Sequence, residues 1–448
     1  MISVYAFILI AVLAIWLALC LQNRYFALVA FVALLPIYLV RVALPLPGTS
    51  FNLPTTLLEL FFLILFSVWL FTDAMRPGAW RALREWAVPI SLFVTGATIS
   101  VAVAPSFMPS LGLWRAYIIE PILFFTLFSD IVGRKKRGVA VLCALGTTLA
   151  TVGVIAVYQK ITGYGIPNPI WAAEATRRAT AFYGFPNAIG LFAAPVTMLM
   201  VAWAVSLLGQ HTQRRWLALL PTSAAILGAL GILFAVSEGA AIGLLAGLGL
   251  YGLMHKKLRP WTLGAIIIAC AVVVLIPPVR NYASLLVSLR DDSGSVRSII
   301  WSETSAMLAD HPVFGTGLAG YPGRILPYHR ATWIEVFQYP HDIVLNFWGE
   351  VGLLGLAGFV WIVWRFYAVT LRVARTKDAP WLAAGLIAAM TATLVHGLVD
   401  VPYFKNDLAM LFWVLIGLAG VLRRIHLPTE GITAKVKKVL TTGWAQKP

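Results

Sequence analysis

The sequence has little charge. Only 12% of its 448 residues are Asp, Glu, Lys or Arg, whereas 60% are hydrophobic. Soluble globular proteins carry roughly 25% charged residues, so this composition excludes a soluble globular protein. Apolar stretches of about 20 residues recur instead, a length that lets a helix cross about 30 Å of hydrocarbon. The sequence also lacks the short alternating segments of a membrane β-barrel. We therefore expect an all-α polytopic membrane protein.

Several chemical signatures are missing as well. The three cysteines, Cys20, Cys143 and Cys270, lie inside apolar stretches and form no CxxC pair, which argues against disulfides and metal binding. The sequence contains no GxxxxGKS/T phosphate loop, no GxSxG, no HExxH and no outward DxD. These absences remove support for ATP hydrolysis, a nucleophilic serine and a zinc site. We predict no cofactor and no metal.

The apolar stretches define twelve or thirteen candidate transmembrane helices in a single integral membrane domain over residues 1–448. We place them at about 3–22, 25–46, 53–72, 87–104, 112–132, 138–158, 188–208, 216–235, 239–255, 261–278, 342–370, 380–399 and 408–422.

Most of the net charge of +16 lies in one set of alternate loops and in the tail 423–448. The basic loops include Arg134 to Arg137 and Arg372 to Lys377. The positive-inside rule places these loops and the basic tail in the cytoplasm. Topology therefore explains the charge, and we expect no nucleic-acid partner.

The other loops then face outward, and two of them are long. Residues 159–187 form a loop of 29 residues, and residues 279–341 form a large outer loop of 63. Long loops in compact proteins tend to be functional. Apolar residues at helical spacing, after a helix start at Asp291, predict an amphipathic helix over about 296–309 on the membrane surface or across the bundle mouth. The glycines after it predict a flexible, turn-rich stretch.

Arginine supplies most of the positive charge of the outer loops. The large loop holds five arginines and no lysine, and the other long loop adds two more: Arg280, Arg290, Arg297, Arg324 and Arg330, with Arg177 and Arg178. The planar guanidinium suits bidentate recognition of phosphate or carboxylate. The competing interpretation is pairing with five acids of the same loop, Asp291, Asp292, Glu303, Asp310 and Glu335.

His341 precedes an apolar helix that contains Glu350. The positive end of the helix dipole favours a neutral imidazole, which can accept a proton at neutral pH. The alternative is a histidine that only caps the helix at the membrane interface. His396 and Asp400 are spaced i, i+4, as a metal-ligand pair or a hydrogen-bonded structural pair would be; no third ligand lies nearby in the sequence. Intramembrane charge elsewhere predicts an ion pair of Arg115 with Glu120.

Four motifs resemble the O-antigen ligase and O-antigen polymerase superfamily. The segment 341–355 reads HDIVLNFWGEVGLLG and resembles that family's His…Leu…Glu-x-Gly-x-x-Gly pattern. Arg297 with Trp301, followed by HPVFGTG at 311–317, resembles a second pattern. Arg178 before FPN at 185–187, and HGLVD at 396–400 before Asn406, are similar to the other two. One position departs: many relatives carry Ser-Arg-Gly at a short outer turn where residues 237–239 read SEG, so Arg280 or Arg290 would have to compensate.

The resemblance implies a GT-C-like fold in the bacterial inner membrane with an active site facing the periplasm. It implies an inverting, metal-independent O-antigen ligase that transfers a glycan from undecaprenyl pyrophosphate to the lipid A-core. Membrane lipids would surround it. His341 would be the catalytic base, and the remaining residues would bind pyrophosphate (Arg177, Arg178, Arg280, Arg290, Arg297) or support the site (Glu350, Trp301, His396, Asp400).

Other functions stay open. A polymerase is similar in its residues. A protein O-oligosaccharyltransferase usually carries an additional soluble domain, whereas only about 26 basic-tail residues follow the last predicted helix here. A transporter or flippase for a lipid-linked glycan would place its charges near mid-membrane and show an internal repeat, neither of which the sequence favours.

Overall fold

A computed structural model describes residues 4–45, 52–133, 138–209, 213–376 and 380–427 of the chain. The structure is 79% helical with almost no strand, which confirms the all-α polytopic class. The predicted basic loop Arg134 to Arg137 and residues 428–448 of the predicted tail lie outside the described residues.

The first half of the chain contains α1 (Val4–Gln22), α2 (Arg24–Ala33), a hairpin of β1 (Arg41–Pro45) and β2 (Asn52–Thr56), α3 (Leu57–Thr72), α4 (Arg81–Glu85), α5 (Ala87–Val103), α6 (Phe107–Leu113), α7 (Glu120–Gly133), α8 (Gly138–Thr162), α9 (Pro169–Ala172) and α10 (Pro186–Leu208). The second half contains α11 (Leu219–Ala235), α12 (Glu238–Met254), α13 (Arg259–Leu275), α14 (Pro277–Val287), α15 (Asp292–Asp310), α16 (Tyr321–Ile325), α17 (Ile343–Ala374), α18 (Trp381–Gly397) and α19 (Asn406–His426).

Within the described residues, seven helices are long and apolar enough to cross a membrane, or eight if the bent pair α13 and α14 counts as one span. Five shorter apolar helices, α2, α3, α5, α12 and α18, account for the other predicted spans. The predicted span 25–46 is wrong in its second half. Pro36 opens a 3-10 turn over Leu35–Leu39, and β1 then pairs antiparallel with β2, because proline cannot continue the hydrogen-bond ladder of a helix.

The large outer loop contains more helix than the sequence indicated. The chain turns by 96° between α13 and α14, where Pro277 and Pro278 follow a residue with extended backbone. The amphipathic helix predicted at about 296–309 is confirmed as α15, which begins four residues earlier and ends one residue later. Its buried positions Ile300, Thr304, Met307 and Leu308 recur at helical spacing, and it packs on α16 and on the start of α17.

The core of the bundle is built around α10 and α19, whose apolar stretches are 72% and 83% buried. Small residues allow two other helices to approach closely. A Cβ at Gly96 of α5 would lie 2.2 Å from the backbone nitrogen of Gly355 in α17. α17 and α18 run in opposite directions, so the start of α17, the end of α18 and the start of α19 meet at one end of the bundle. We call this the histidine end because it carries His341 and His396.

Candidate active site

His341 lies two residues before the first helical residue of α17, so its predicted place at a helix N-terminus is confirmed. The N-cap itself is Asp342, whose side chain accepts a hydrogen bond from the Leu345 amide at 2.7 Å. His341 has φ +52°, a left-handed conformation that costs a non-glycine residue energy and must be held by its surroundings. The carbonyl of Pro340 accepts a hydrogen bond from the Trp301 indole at 3.0 Å. α15 therefore helps to fix the backbone that carries His341.

A buried carboxylate lies between two histidines at this end. Asp400 Oδ1 is 3.5 Å from His341 Nδ1, and Asp400 Oδ2 is 4.0 Å from His396 Nε2. Asp400 and His396 are both buried, whereas the side chain of His341 is 21% exposed. The predicted pair of His396 and Asp400 thus has a third member, His341, which lies 55 residues before His396 in the sequence. With Nδ1 directed at Asp400, Nε2 is the ring nitrogen of His341 left to accept a proton.

Asp400 is charged at physiological pH. Burial raises the pKa of its carboxyl, but the hydrogen bond with His341, the positive charge that His341 or His396 carries when protonated, and the Val401 amide together hold that pKa below its ordinary value. A carboxylate in this position orients the imidazole and stabilises the imidazolium that forms when His341 takes a proton.

Two aromatic rings surround His341. Phe337 and Tyr339 contact its ring edge to face, with centroids 5.1 Å and 4.7 Å away. Tyr339 also lies within electrostatic reach of Asp400. Neither residue was predicted from the sequence. The only signal was the aromatic character of the segment just before Pro340-His341.

Arg178 and Arg297 converge on this histidine cluster. Arg178 donates to the carbonyls of Ala235 and Val236 at 2.9 and 3.1 Å and to Asn187 Oδ1 at 3.0 Å. Burial lowers the pKa of Arg178, with Glu238 opposing and Arg297 adding to that shift. Arg297 lies within electrostatic reach of both Arg178 and His396. These two cations, from different parts of the chain, therefore lie near each other, and Arg297 also lies near the buried His396.

The other predicted phosphate ligands do not join them. Arg177 donates to the carbonyls of Ala172, Lys160 and Ile161 at 3.1 to 3.2 Å and so caps the end of α8, whereas the acceptors of Arg178 lie at the turn before α12 and at Asn187. Arg280 and Arg290 are exposed and form no ion pair with a described side chain. Of the five predicted phosphate ligands, Arg178 and Arg297 are therefore the two that lie within electrostatic reach of each other.

Among the described side chains, no ion pair joins an arginine of the large loop to an acid of that loop, although Arg297 lies within electrostatic reach of Asp291. Asp291 caps α15 and accepts from the Gly294 amide. Glu303 accepts from the amides of residues 330 and 331 and lies 3.0 Å from His329. Asp310 accepts from Tyr328 at 2.5 Å. Three of the five acids thus hold the loop itself in shape.

Glu350 does not contact His341. It is buried in α17 and accepts a hydrogen bond from the Ala319 amide at 2.8 Å. α17 is interrupted just beyond it at Gly352, where φ is +67°, a conformation open to glycine. Val313 fills the interruption, because its carbonyl accepts from the Leu353 amide at 2.9 Å. The glycine-rich stretch predicted to be flexible is therefore packed against α17, and Glu350 is a residue that holds it there.

Glu238 occupies the position where many relatives carry arginine, and it too has a structural partner. Glu238 begins α12 and accepts a hydrogen bond from the hydroxyl of Tyr282 in α14. It lies within electrostatic reach of Arg178. An acid at this turn therefore connects α14 to the region around Arg178.

A second polar cluster is built around Glu59. Arg115 pairs with Glu120 at 3.2 Å, as predicted, and also with Glu59 at 3.0 Å. Asn406, the last residue of the fourth motif, donates to Glu59 at 2.9 Å. These contacts join α3, α7 and α19. Among the described residues, no group of three or more His, Cys, Asp or Glu side chains is placed to hold a metal ion.

Residues 223–360 match the model of a family described as O-antigen ligase, about a third of the chain. The match runs from α11 through the large outer loop to the Glu350 segment, and it includes Arg297 and His341. The match confirms the resemblance for the two motifs that lie inside it, Arg297 to Gly317 and His341 to Gly355. No curated protein matches the chain.

Proposed function

We propose that this chain, whose residues 223–360 match the O-antigen ligase family, transfers a glycan from undecaprenyl pyrophosphate to the lipid A-core oligosaccharide. The reaction would take place at the periplasmic face of the bacterial inner membrane, as a step of lipopolysaccharide biosynthesis. The observation that carries the proposal is the contact of His341 with buried Asp400 beside two converging arginines, Arg178 and Arg297. A base next to two cations suits a reaction whose leaving group is a pyrophosphate.

His341 is the general base in this proposal. Its Nε2 takes the proton of the acceptor hydroxyl while that oxygen attacks the anomeric carbon of the donor glycan. The bond between the anomeric carbon and the pyrophosphate oxygen breaks, and undecaprenyl pyrophosphate leaves with the bonding electron pair. Asp400 stabilises the imidazolium, which later returns its proton to water. A single displacement of this kind inverts the anomeric carbon.

Arg178 and Arg297 act on the leaving group. Negative charge grows on the bridging oxygen as its bond breaks, and fixed cations placed there stabilise the transition state more than the ground state. Arg178 is held by three acceptors, so it needs little reorganisation. Arg297 lies on α15, with one hydrogen bond to Ser293 at 3.1 Å, so it retains donors for phosphate. Arg178 is therefore a rigidly held cation, and Arg297 is a cation carried by α15.

The test is complementation of a Gram-negative strain that lacks its ligase, read from the ladder of its lipopolysaccharide on a gel. Wild type is expected to restore the high-molecular-weight ladder. His341→Ala is expected to abolish it, with a rate loss of about 10²- to 10⁴-fold, as for loss of a general base. His426→Ala, at the opposite end of α19, is the matched control and should restore the ladder. Membrane expression is measured for all three.

A polymerase is the second candidate, because the matching family supports ligase- and polymerase-type enzymes alike. The same variants are therefore tested in a polymerase-deficient strain. Restored chain elongation there, without a ladder in the ligase-deficient strain, would assign polymerase activity. Activity of His341→Ala equal to wild type in the strain that is rescued would overturn the role of His341.

A further inference from the structure

The opposite end of the bundle carries a cluster of arginines around one acid. Arg81 is 3.0 Å from Glu85 Oε1, and Arg423 and Arg424 each lie 3.5 Å from Glu85 Oε2. Arg365 of α17 lies within electrostatic reach of Glu85 and Arg423. We call these four arginines with Glu85 the arginine end.

Among the described residues, the arginine end holds more positive charge than Glu85 alone can neutralise. Glu85 is 15% exposed and is shared by three arginines at ion-pair distance. Arg365 is the fourth cation. Its Nε is buried and has no hydrogen-bond partner among the described residues, and its guanidinium lies over the Trp86 ring at 5.2 Å. A guanidinium N–H left unpaired in a low-dielectric environment is costly. The arrangement therefore favours an anion that the protein itself does not supply.

The surroundings indicate an amphipathic anion. Trp361 and Trp364 precede Arg365 on α17 and are 37% and 64% exposed, as expected for side chains that face lipid. Tryptophan beside arginine is typical of the interface between hydrocarbon and headgroups. Basic pockets between transmembrane helices on the cytoplasmic side bind phosphate headgroups of lipids. The positive-inside pattern predicts that the arginine end faces the cytoplasm.

We propose that the arginine end binds the phosphate of an anionic phospholipid, with Arg365 and Arg423 as its principal ligands. This site is separate from the site at His341. Arg365 lies 22 residues after the first helical residue of α17, roughly 30 Å along a helix. The inference rests on the geometry of α4, α17 and α19, and it holds whichever glycan transfer the other end performs.

The test uses the full chain in detergent, with native mass spectrometry to count bound phospholipid. The probes are equimolar phosphatidylglycerol and phosphatidylcholine. Wild type is expected to retain phosphatidylglycerol in preference to phosphatidylcholine. Arg365→Gln is expected to weaken this retention about fivefold, the equivalent of about 1 kcal/mol per arginine near a lipid headgroup. Arg375→Gln, an exposed arginine at the end of the same helix, is the matched control and should retain the lipid as wild type does.

Arg423→Gln gives a second measure of the same cluster if Arg365→Gln unfolds at a lower temperature than the control. Equal retention of the two lipids by wild type would overturn the proposal. So would equal phosphatidylglycerol retention by wild type, Arg365→Gln and Arg423→Gln. Inorganic phosphate is added in a separate arm. If phosphate alone raises the unfolding temperature of wild type as much as phosphatidylglycerol does, the site binds free phosphate and the lipid assignment is wrong.

Discussion

The two ends of the helix bundle use charge in different ways. At the histidine end one carboxylate has a defined partner for each of its oxygens, because Asp400 Oδ1 lies 3.5 Å from His341 and Oδ2 lies 4.0 Å from His396. At the arginine end three arginines share the single carboxylate of Glu85. Where an acid and a base are paired, each influences the protonation state of the other, and general acid–base catalysis depends on that state. An excess of one sign requires only an anionic partner. The same residue type, arginine, therefore serves a reaction at one end and anchoring at the other.

Substitution of Asp400 should have the largest effect on this comparison. Asp400→Asn removes the charge that stabilises the His341 imidazolium, and we expect glycan transfer to fall about 10²-fold or more. The measurement is the rate of transfer by membranes that contain equal amounts of protein. Asp310→Asn, an acid of the outer loop bonded to Tyr328, is the control and should keep wild-type activity. If Asp400→Asn transferred glycan as fast as wild type, the contact between Asp400 and His341 would be structural only.

Arg297 tests whether the histidine end needs the shape of arginine or only its charge. Arg297→Lys keeps the charge but loses the planar pair of donors that fits phosphate. We expect a loss of transfer of about 10²-fold, within the range for removal of one transition-state donor. Arg324→Lys, in α16 of the same loop, is the matched control. Full activity of Arg297→Lys would remove Arg297 from the phosphate site and leave Arg178 as the remaining cation there.

Trp301 tests whether the site depends on the outer helix. Trp301→Phe keeps an aromatic ring but loses the hydrogen bond to the Pro340 carbonyl. A neutral hydrogen bond contributes about 1 kcal/mol, so we expect a decrease in kcat of about fivefold with little change in KM. Trp333→Phe, an exposed tryptophan of the same loop, should leave both constants unchanged. A change in KM alone would mean that Trp301 contacts substrate rather than positioning His341.

The sequence predicted the helices of this protein better than the contacts between its loops. Hydrophobic length alone located α7, α8, α10, α17 and α19, because a membrane leaves few alternatives to a helix. The β1–β2 hairpin was missed because its residues are apolar enough to extend a predicted span. α14 was not predicted: the predicted span 261–278 ends at Pro278, whereas proline is also compatible with the first turn of a new helix.

The candidate site was predicted in part, for a physical reason. His341 and Arg297 belong to motifs, and motifs record which residue types lie close along the chain. The contact of His341 with Asp400 spans two helices, and no local pattern encodes it. Conversely, Arg177 was predicted to bind phosphate because it is an arginine in an outer loop. In the structure it donates hydrogen bonds to nearby carbonyls, including two at the end of α8. Local sequence does not reveal which acceptors a folded chain brings to an arginine.

His329 provides the smallest expected effect and separates loop stability from catalysis. The hydrogen bond to Glu303 raises the pKa of His329, which partial desolvation opposes. A histidine whose pKa is raised on folding stabilises the folded loop fully below its unfolded pKa of about 6.5. That contribution is lost as the pH rises through the folded pKa. We therefore expect amide hydrogen exchange in α15 to become faster, relative to its intrinsic rate, as the pH increases from about 6 to about 8.

The variant His329→Gln should remove this pH dependence and leave glycan transfer at wild-type rate, since His329 lies outside the His341 cluster. His311→Gln, at the C-terminal end of α15, is the control that should retain the dependence. If exchange in α15 followed pH identically in wild type and His329→Gln, the contact between His329 and Glu303 would contribute nothing to the loop. If glycan transfer also fell in His329→Gln, catalysis would depend on the order of the loop around α15. The functional site would then include residues of α15 beyond those near Asp400.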